Sequence, residues 1–252
     1  MSEKRIYNLK IDRVEPTQLK FKTFAKVSLP KKFDLRNNFP SVYDQGHLGS
    51  CTANALCSVY EFEEVDENVN KGFKPSRLFL YYNERLIENS VEEDSGAMLS
   101  DGIKSLKTHG ICSETDCPYI IEKFKIKPTK TAYSNALKHK VIIASNIHQD
   151  VTSMKLSLFN KNPFVVGIAI YESFESDVVT KTGMVPMPNI TNEQCLGGHA
   201  VVVVGWDDEK KVWILRNSWG DKWGDKGYFY LPYLYLLDSN LSSELWNISK
   251  IN

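Results

Sequence analysis

The sequence predicts an α+β fold in which a helical first half is followed by a strand-rich second half. Between residues 51 and 110, apolar side chains recur at steps of three and four, the spacing of an amphipathic helix. From residue 141 onward, the chain instead contains β-branched and aromatic runs bounded by Gly, Pro, Asn and Asp. Segregation of helices from strands favours two packed halves, with any binding site in the cleft between them.

Three helices are expected in the first half, each opened by a turn or by residues that favour a helix N-terminus. The first runs from Cys51 to about Val65. The second opens at Pro75-Ser76, and the third follows a turn at residues 94–97 and ends near Gly110. The residues expected to face inward are Ala55, Val59 and Phe62 in the first helix and Leu78, Phe79, Tyr82 and Leu86 in the second, whereas Glu61, Glu63 and Glu64 are expected in water.

Strands are expected at four apolar runs, which span residues 141–144, 163–170, 200–204 and 211–215. A short helix is expected between the first two, at Met154–Phe159. Ahead of the helical half, Phe33–Arg36 is interpreted as a short strand or anchor.

Composition argues against several classes of protein. The chain has 252 residues, of which 42% are hydrophobic and 25% charged, with a formal net charge of zero. This balance gives no global field that favours nucleic acid or a membrane, and no apolar run reaches the roughly 18 residues that span a bilayer. The polar N-terminus does not lead into the apolar segment of a signal peptide. We therefore expect a protein made in the cytosol, or packaged from it, for example into a virion.

The five cysteines are too few and too scattered for a disulfide framework, and no Cys-x-x-Cys pair suggests zinc. Cys112 and Cys117 are close enough in sequence to bridge a small loop, but reduced thiols are the expectation for this compartment. Neither a metal nor another cofactor is expected.

Charge is divided unevenly along the chain. Residues 1–32 carry nine Lys/Arg against three Asp/Glu, a net of +6, and the remainder carries a net of −6. A basic arm of this kind is compatible both with docking on the acidic body and with a solvated tail.

Cys51 is the first candidate for chemistry. It follows the turn formers Gly46, Gly49 and Ser50 and opens the first predicted helix. At that junction the helix dipole and free backbone N–H groups favour a thiolate. Six residues upstream, Gln45 offers an N–H donor of the kind that an oxyanion hole requires. A buried structural cysteine beside a Gly-rich turn is the alternative interpretation.

His199 and Asn217 can complete a catalytic arrangement with this thiol. His199 opens one predicted strand and Asn217 follows another, so both are expected near strand ends that face one cleft. An imidazole takes the thiol proton, and an amide oxygen fixes its tautomer without adding charge, so an ion pair is the expected resting state. The segment 217–228 adds two Trp-Gly pairs that core packing does not explain, and Trp219 can cover the His/Asn pair.

Residues 45–55, 197–204 and 217–228 resemble the three signature blocks of papain-like (cathepsin-type) cysteine peptidases of the C1 family, in the family's order Gln, Cys, His, Asn. The resemblance implies a two-lobed fold with the active site between the lobes. The helical lobe is expected at about 40–135, and an antiparallel, barrel-like lobe from about 30–39 and 136–252. Residues 1–30 are then an N-terminal arm or short propeptide ahead of a peptidase domain at 31–252.

The resemblance also implies a role for each site residue. Cys51 corresponds to the nucleophile, His199 to the general base and acid, Asn217 to the residue that orients the imidazole, and Gln45 to an oxyanion donor beside the Cys51 backbone N–H. The residues expected to contact substrate are Ser95, Gly96 and Ala97 along its main chain, Gly198, Ala200 near the pocket for the second residue upstream of the scissile bond, and Trp219 over the pair.

Several departures from the family pattern are informative. Leu48 stands where many members have a disulfide-forming cysteine, and Thr52 replaces an aromatic residue, as in shorter microbial and viral members. Ala97 replaces a glycine, which is tolerable if its φ is negative. No His-His pair stands where a carboxy-dipeptidase would have one, which favours an endopeptidase. The pocket floor is expected from residues 240–245.

The resulting hypothesis is a monomeric cysteine endopeptidase that acts on proteins or peptides through an acyl-enzyme, with its basic arm lying across the cleft and delaying activity. Two alternatives remain open at this point. One is acyl transfer to an amine, and the other is a binding module that keeps the fold without turnover. A disordered or purely structural N-terminal extension is the alternative for the arm.

Overall fold

The computed structural model describes residues 5–11, 28–66 and 72–251. Within that part of the chain there are seven α-helices and seven β-strands. The helices are α1 (Cys51–Asp66), α2 (Arg77–Ile87), α3 (Leu99–Thr108), α4 (Lys130–Ala136), α5 (Val151–Phe159), α6 (Asp177–Thr182) and α7 (Tyr233–Leu237). The strands are β1 (Lys32–Asp34), β2 (Val141–Asn146), β3 (Phe164–Tyr171), β4 (Cys195–Asp207), β5 (Val212–Arg216), β6 (Tyr228–Pro232) and β7 (Ser242–Ile251).

All the strands belong to one antiparallel sheet with the order β2-β7-β3-β4-β5-β6, and β1 pairs with β4. The central strand β4 is the longest and extends beyond the predicted run 200–204 in both directions. It pairs with β3 over its first half and with β5 over its second half. The predicted α+β class is confirmed, as are the four predicted strands.

Helix α1 packs against β4 and β7 of the sheet on one side and against α2 and α3 on the other. It therefore lies at the junction of the helical part and the sheet. This position corrects one prediction, because Glu63 and Glu64 are 5% and 0% exposed rather than in water. A helix surrounded on several sides has no solvent face over most of its length.

Helix α2 begins where Ser76 accepts the Phe79 N–H at 3.1 Å, which is the N-cap expected from its position in the sequence. Leu78 and Phe79 are buried as predicted, but Leu86 is 42% exposed, which corrects the expectation that it faces inward. The helix ends at Ile87, one residue later.

All five cysteines are free thiols in the structure. Within the described residues, no helix combines the length and apolar character needed to cross a bilayer. The expected division into an arm and two lobes at particular residues stays a prediction. Residues 1–4 and 12–27 of the predicted arm lie outside the described part of the chain.

Candidate active site

Cys51 is the first residue of α1 and is fully buried. Backbone N–H groups of Ala200, Thr52 and Cys51 itself are directed at its sulfur and lower its pKa, but burial has the larger effect and raises the pKa to about 12. The contribution of Ala200 shows that Cys51 is close to β4, because Ala200 belongs to that strand and directly follows His199. Cys51 therefore lies where α1 packs against β4, close to the residue that follows His199, although Cys51 and His199 are 148 residues apart in sequence.

The His199 ring is held by Asn217. Nε2 of His199 lies 2.8 Å from Oδ1 of Asn217, and this amide oxygen also accepts the Ser218 backbone N–H at 2.8 Å. An oxygen that can only accept requires the Nε2–H tautomer, which leaves Nδ1 as a base. Nδ1 is buried and has no hydrogen-bond partner among the described residues. His199 lies inside β4 rather than at a strand end, which corrects that expectation, whereas Asn217 directly follows β5 as predicted.

Trp219 covers this pair. Its ring is stacked on the imidazole of His199, with the centroids 4.9 Å apart and the planes at 24°. Trp219 is itself 7% exposed and lies edge-on to Trp223 and Phe174, at centroid distances of 4.8 and 5.8 Å. Stacked aromatic rings of this kind exclude water from the His199–Asn217 hydrogen bond.

Gln45 is fixed by hydrogen bonds to Ser218 and Leu48. Its backbone N–H donates to the Ser218 carbonyl at 2.9 Å, and its side-chain oxygen accepts from Ser218 Oγ at 2.5 Å. The amide nitrogen donates to the Leu48 carbonyl at 3.0 Å, which occupies one of its two N–H bonds. The second N–H remains for a ligand at the N-terminus of α1, where Cys51 also lies.

Residues 5–11 lie across this site. The Leu9 N–H donates to the Gly198 carbonyl and the Lys10 N–H to the Ala97 carbonyl, both at 3.1 Å. Asn8 pairs with Gly198 in a parallel bridge. The segment therefore uses the same backbone positions that the sequence indicated for substrate.

The turn at residues 95–97 lies directly against this segment. A Cβ built on Gly96, whose φ is +69°, would stand 1.9 Å from the Asn8 carbonyl oxygen, so only glycine fits there. Ala97 is not among the residues with positive φ, so its methyl group causes no strain. The Ser95 hydroxyl contacts the Lys10 ammonium group at 3.3 Å.

A cavity of about 310 Å³ opens beside Gly198, with Leu9 in its wall. Residues 239–243 line one side, as expected in part, whereas Glu244 is buried and does not line it. Ala200 does not line it, and its expected place near the pocket for the second upstream residue stays a prediction. The backbone N–H of Ala200 is instead close enough to the Cys51 thiol to lower its pKa.

Burial beneath the arm acts on both reacting groups. Burial, opposed by the Asn217 hydrogen bond and assisted by the nearby Arg5 charge, lowers the pKa of His199 to about 4. With the thiol pKa raised by burial, both groups favour their neutral forms in this arrangement. The expected ion pair is therefore disfavoured in this arrangement of the chain.

Two supporting residues were missed by the sequence interpretation. Glu84 of α2 is fully buried and accepts the Thr52 hydroxyl at 2.8 Å, and burial raises its pKa to about 8. Asp94 accepts the Gly49 N–H at 3.0 and 3.1 Å and thereby holds the turn ahead of Cys51. Neither carries a sequence signal, because each is a single acidic residue whose partner is distant along the chain.

The model for papain family cysteine proteases matches residues 29–235. The chain is 45% identical over 232 residues to an uncharacterized peptidase C1-like protein of Acanthamoeba polyphaga mimivirus, covering 87% of this chain and 74% of that protein. The crystal structure of xylellain, a cysteine protease from Xylella fastidiosa, superposes with a TM-score of 0.91 at 37% identity and covers 98% of this chain and 96% of that chain. A procathepsin B of Trypanosoma congolense shares the fold at a TM-score of 0.75 and 19% identity, over 97% of this chain and 87% of its own.

Proposed function

Because the chain belongs to the papain family of cysteine proteases, we propose that it is an endopeptidase whose own N-terminal residues hold it inactive. The family membership and the two-lobed α+β fold that three sequence blocks indicated are confirmed. The endopeptidase action, the roles of individual residues and the inhibition by the arm are the proposal.

The proposed reaction proceeds through a thioester. Nδ1 of His199 takes the proton of the Cys51 thiol, and the sulfur attacks the carbonyl carbon of the scissile peptide bond. The oxyanion accepts hydrogen bonds from the free N–H of the Gln45 side chain and from the Cys51 backbone. The imidazolium then protonates the leaving amine, and the acyl-enzyme forms. Water, deprotonated by the same imidazole, attacks the thioester and releases the acid with a protonated thiol.

The observation that carries this proposal is the hydrogen bond of 2.8 Å between His199 and Asn217. It leaves Nδ1 unpaired in a buried site, next to the residue whose backbone N–H contacts the Cys51 sulfur. A buried ring nitrogen without a hydrogen-bond partner costs folding free energy. The same nitrogen is useful as a base beside a thiol, because the amide of Asn217 fixes the other ring nitrogen.

The direction of a substrate follows from this chemistry. His199 protonates the leaving amine, so the C-terminal half of a substrate lies on the side of His199 and Trp219. The acyl half lies on the other side of the thiol, along the carbonyl of Ala97. A substrate therefore runs, from N- to C-terminus, from Ala97 toward Trp219.

The arm runs the other way. Arg5 lies over the Trp219 ring, and Lys10 pairs with Ala97. The carbonyl oxygens of Tyr7 and Asn8 also lie against Gly197 and Gly96, which wall the cleft. Among the described residues, neither carbonyl accepts a hydrogen bond from the Gln45 side chain or from the Cys51 backbone. A reversed segment whose carbonyls avoid those donors blocks substrate without being cut, which supports inhibition.

The experiment compares the full-length protein with a variant in which the arm is weakened, Leu9→Asp, because a carboxylate is poorly accommodated in the apolar part of the cavity. The substrate is a fluorogenic peptide blocked at both ends, which only an endopeptidase cleaves. An epoxide that alkylates activated thiols measures access to Cys51. We expect at least a tenfold higher rate of cleavage and labelling in Leu9→Asp, since burying a leucine contributes about 1.5–3 kcal/mol.

Cys51→Ala in the same background must abolish both signals. Cys57→Ala is the matched control, because Cys57 is equally buried on the same helix but lies more than one turn away from Cys51. A released protein that neither cleaves nor labels is a binding module, and one that transfers the acyl group to an added amine in preference to water is an acyltransferase. Equal rates with and without Leu9→Asp contradict inhibition by the arm.

A further inference from the structure

Beyond the catalytic residues, one contact of the arm involves a carboxylate that the proposed reaction does not use. Glu88 follows α2 at the rim of the cleft, and its side chain is only 9% exposed while the arm is bound. Its Oε1 accepts the Met98 backbone N–H at 2.9 Å, and its Oε2 forms an ion pair with the Lys10 ammonium group. The carboxylate is thus oriented by the backbone on one side and occupied by a cation on the other.

The rim that carries Glu88 is held in place from below. Arg85 is fully buried, and its guanidinium group donates to the carbonyls of Val91 and Glu93 at 2.7 and 3.2 Å. It also lies 4.2 Å from the centre of the Tyr81 ring. These contacts fix the loop between α2 and the turn at 95–97, so Glu88 keeps its position when the arm leaves.

The backbone contacts of the arm identify the substrate residue that would meet Glu88. Asn8 lies between Gly96 and Gly49, which is two residues ahead of Cys51. Leu9 and Lys10 follow on the acyl side, paired with the carbonyls of Gly198 and Ala97. A substrate of opposite direction that fills the same positions therefore places its third residue, counted back from the scissile bond, where Lys10 lies.

We propose that Glu88, with the Ser95 hydroxyl beside it, selects lysine or arginine at the third residue upstream of the scissile bond. This specificity rests on the proposed function. The arm then inhibits by presenting the preferred cation in a reversed backbone. A partly buried, backbone-anchored carboxylate favours a cation over a neutral side chain of equal length by about five- to tenfold, between the values for exposed and fully desolvated ion pairs.

The test uses the full-length protein and three blocked fluorogenic peptides that differ only at the third position, which carries lysine, norleucine or glutamate. Norleucine matches the length of the lysine stem without its charge. The readout is the ratio of kcat/KM for lysine to that for norleucine, because competition from the arm cancels in a ratio. We expect a ratio of about five to ten, with glutamate the poorest of the three.

Three variants separate the causes. Glu88→Gln keeps an acceptor for Met98 and is expected to bring the ratio below two, and Glu88→Lys is expected to favour glutamate. Lys10→Met removes the cation from the arm and leaves Glu88 intact, so it is expected to raise all three rates by one factor and keep the ratio.

A wild-type ratio near one, or a ratio that survives Glu88→Gln, overturns this specificity while leaving peptidase activity established. If none of the three peptides is cleaved even in Leu9→Asp, in which the arm is displaced, the proposed function itself fails, and this inference fails with it.

Discussion

The guanidinium carbon of Arg5 lies 3.8 Å from the centre of the Trp219 ring. The same indole ring is also stacked on the imidazole of His199. One ring therefore links a cation of the arm to the imidazole of the site. Because a cation above an aromatic face is attracted by it, and a cation near an imidazole disfavours imidazolium, Arg5 both anchors the arm and opposes ionisation of His199.

Replacement of Arg5 by Gln is expected to raise peptide cleavage by the full-length protein about two- to thirtyfold, since a partly desolvated cation–π contact contributes roughly 0.5–2 kcal/mol. Arg5→Lys, which keeps the charge, is expected to lie between Gln and wild type. Lys107→Gln is the control, because it removes an exposed cation from α3. An Arg5→Gln rate equal to that of the control is the contrary result.

The pKa of His199 can be measured by NMR in Cys51→Ala, where no thiolate is present. Burial and the Arg5 charge predict a pKa of about 4 in that protein. Adding Leu9→Asp is expected to raise it toward the ordinary value of about 6.5, because water reaches the ring when the arm is displaced. An unchanged pKa in the double variant means that the arm is not the cause of the shift.

A pH dependence of arm binding follows from the same shift. In Cys51→Ala, the closed form binds fewer protons at His199 than the open form, so closure weakens as pH falls from about 6.5 toward 4. In wild type, displacement of the arm can instead transfer the thiol proton of Cys51 to the imidazole of His199. This transfer leaves the number of protons bound to the protein unchanged. We therefore expect Trp219 fluorescence to report acid-driven opening in Cys51→Ala and a much weaker effect in wild type over this range.

Much of the fold and of the candidate site could be predicted, because local rules and spacing govern those parts. The turn ahead of Cys51 and the helix behind it are determined within twelve residues, and His199 and Asn217 are each tied to an apolar strand. The three blocks were informative together because each supplies one chemical group. None of them by itself distinguished catalysis from packing.

What could not be predicted depends on contacts between distant segments. The periodicity of α1 indicates which residues share a face of the helix. It does not indicate that other helices and strands cover the opposite face as well, so Glu64 was expected in water. Strand β7 was missed, because Ser242, Ser243 and Glu244 at its start read as a polar loop. The segment forms a strand because its backbone pairs with β2 and β3, and its polar side chains give no indication of this pairing.

Gln45 offers a test of the oxyanion site. Gln45→Ala is expected to lower kcat about 10²- to 10³-fold with little change in KM, because the donor acts on charge that develops only in the transition state. Ser218→Ala removes the hydroxyl that holds the amide oxygen and is expected to have a smaller effect in the same direction. Both are measured in the Leu9→Asp background. A change confined to KM would assign Gln45 to ground-state binding.

Glu84 offers a test of buried charge near the thiol. Burial raises its pKa to about 8 from an ordinary value of 4.5, so the folded protein retains a proton that the unfolded chain has released between those values. Stability is then lost progressively as pH rises from about 4.5 to 8, and the full cost is present above 8. Above that pH the ionised carboxylate also lies close enough to raise the pKa of the Cys51 thiol.

Glu84→Gln keeps an oxygen for the Thr52 hydroxyl but does not titrate. Relative to Cys51→Ala alone, the double variant Cys51→Ala/Glu84→Gln is expected to gain stability between pH 4 and pH 9, on the order of a few kcal/mol, measured by urea unfolding. Glu92→Gln is the matched control, because Glu92 is exposed. Only a buried, protonated carboxyl group gives a difference in the free energy of unfolding that grows with pH. If that free energy follows parallel curves against pH in the Glu84 variant and its parent, Glu84 is ionised in the folded protein.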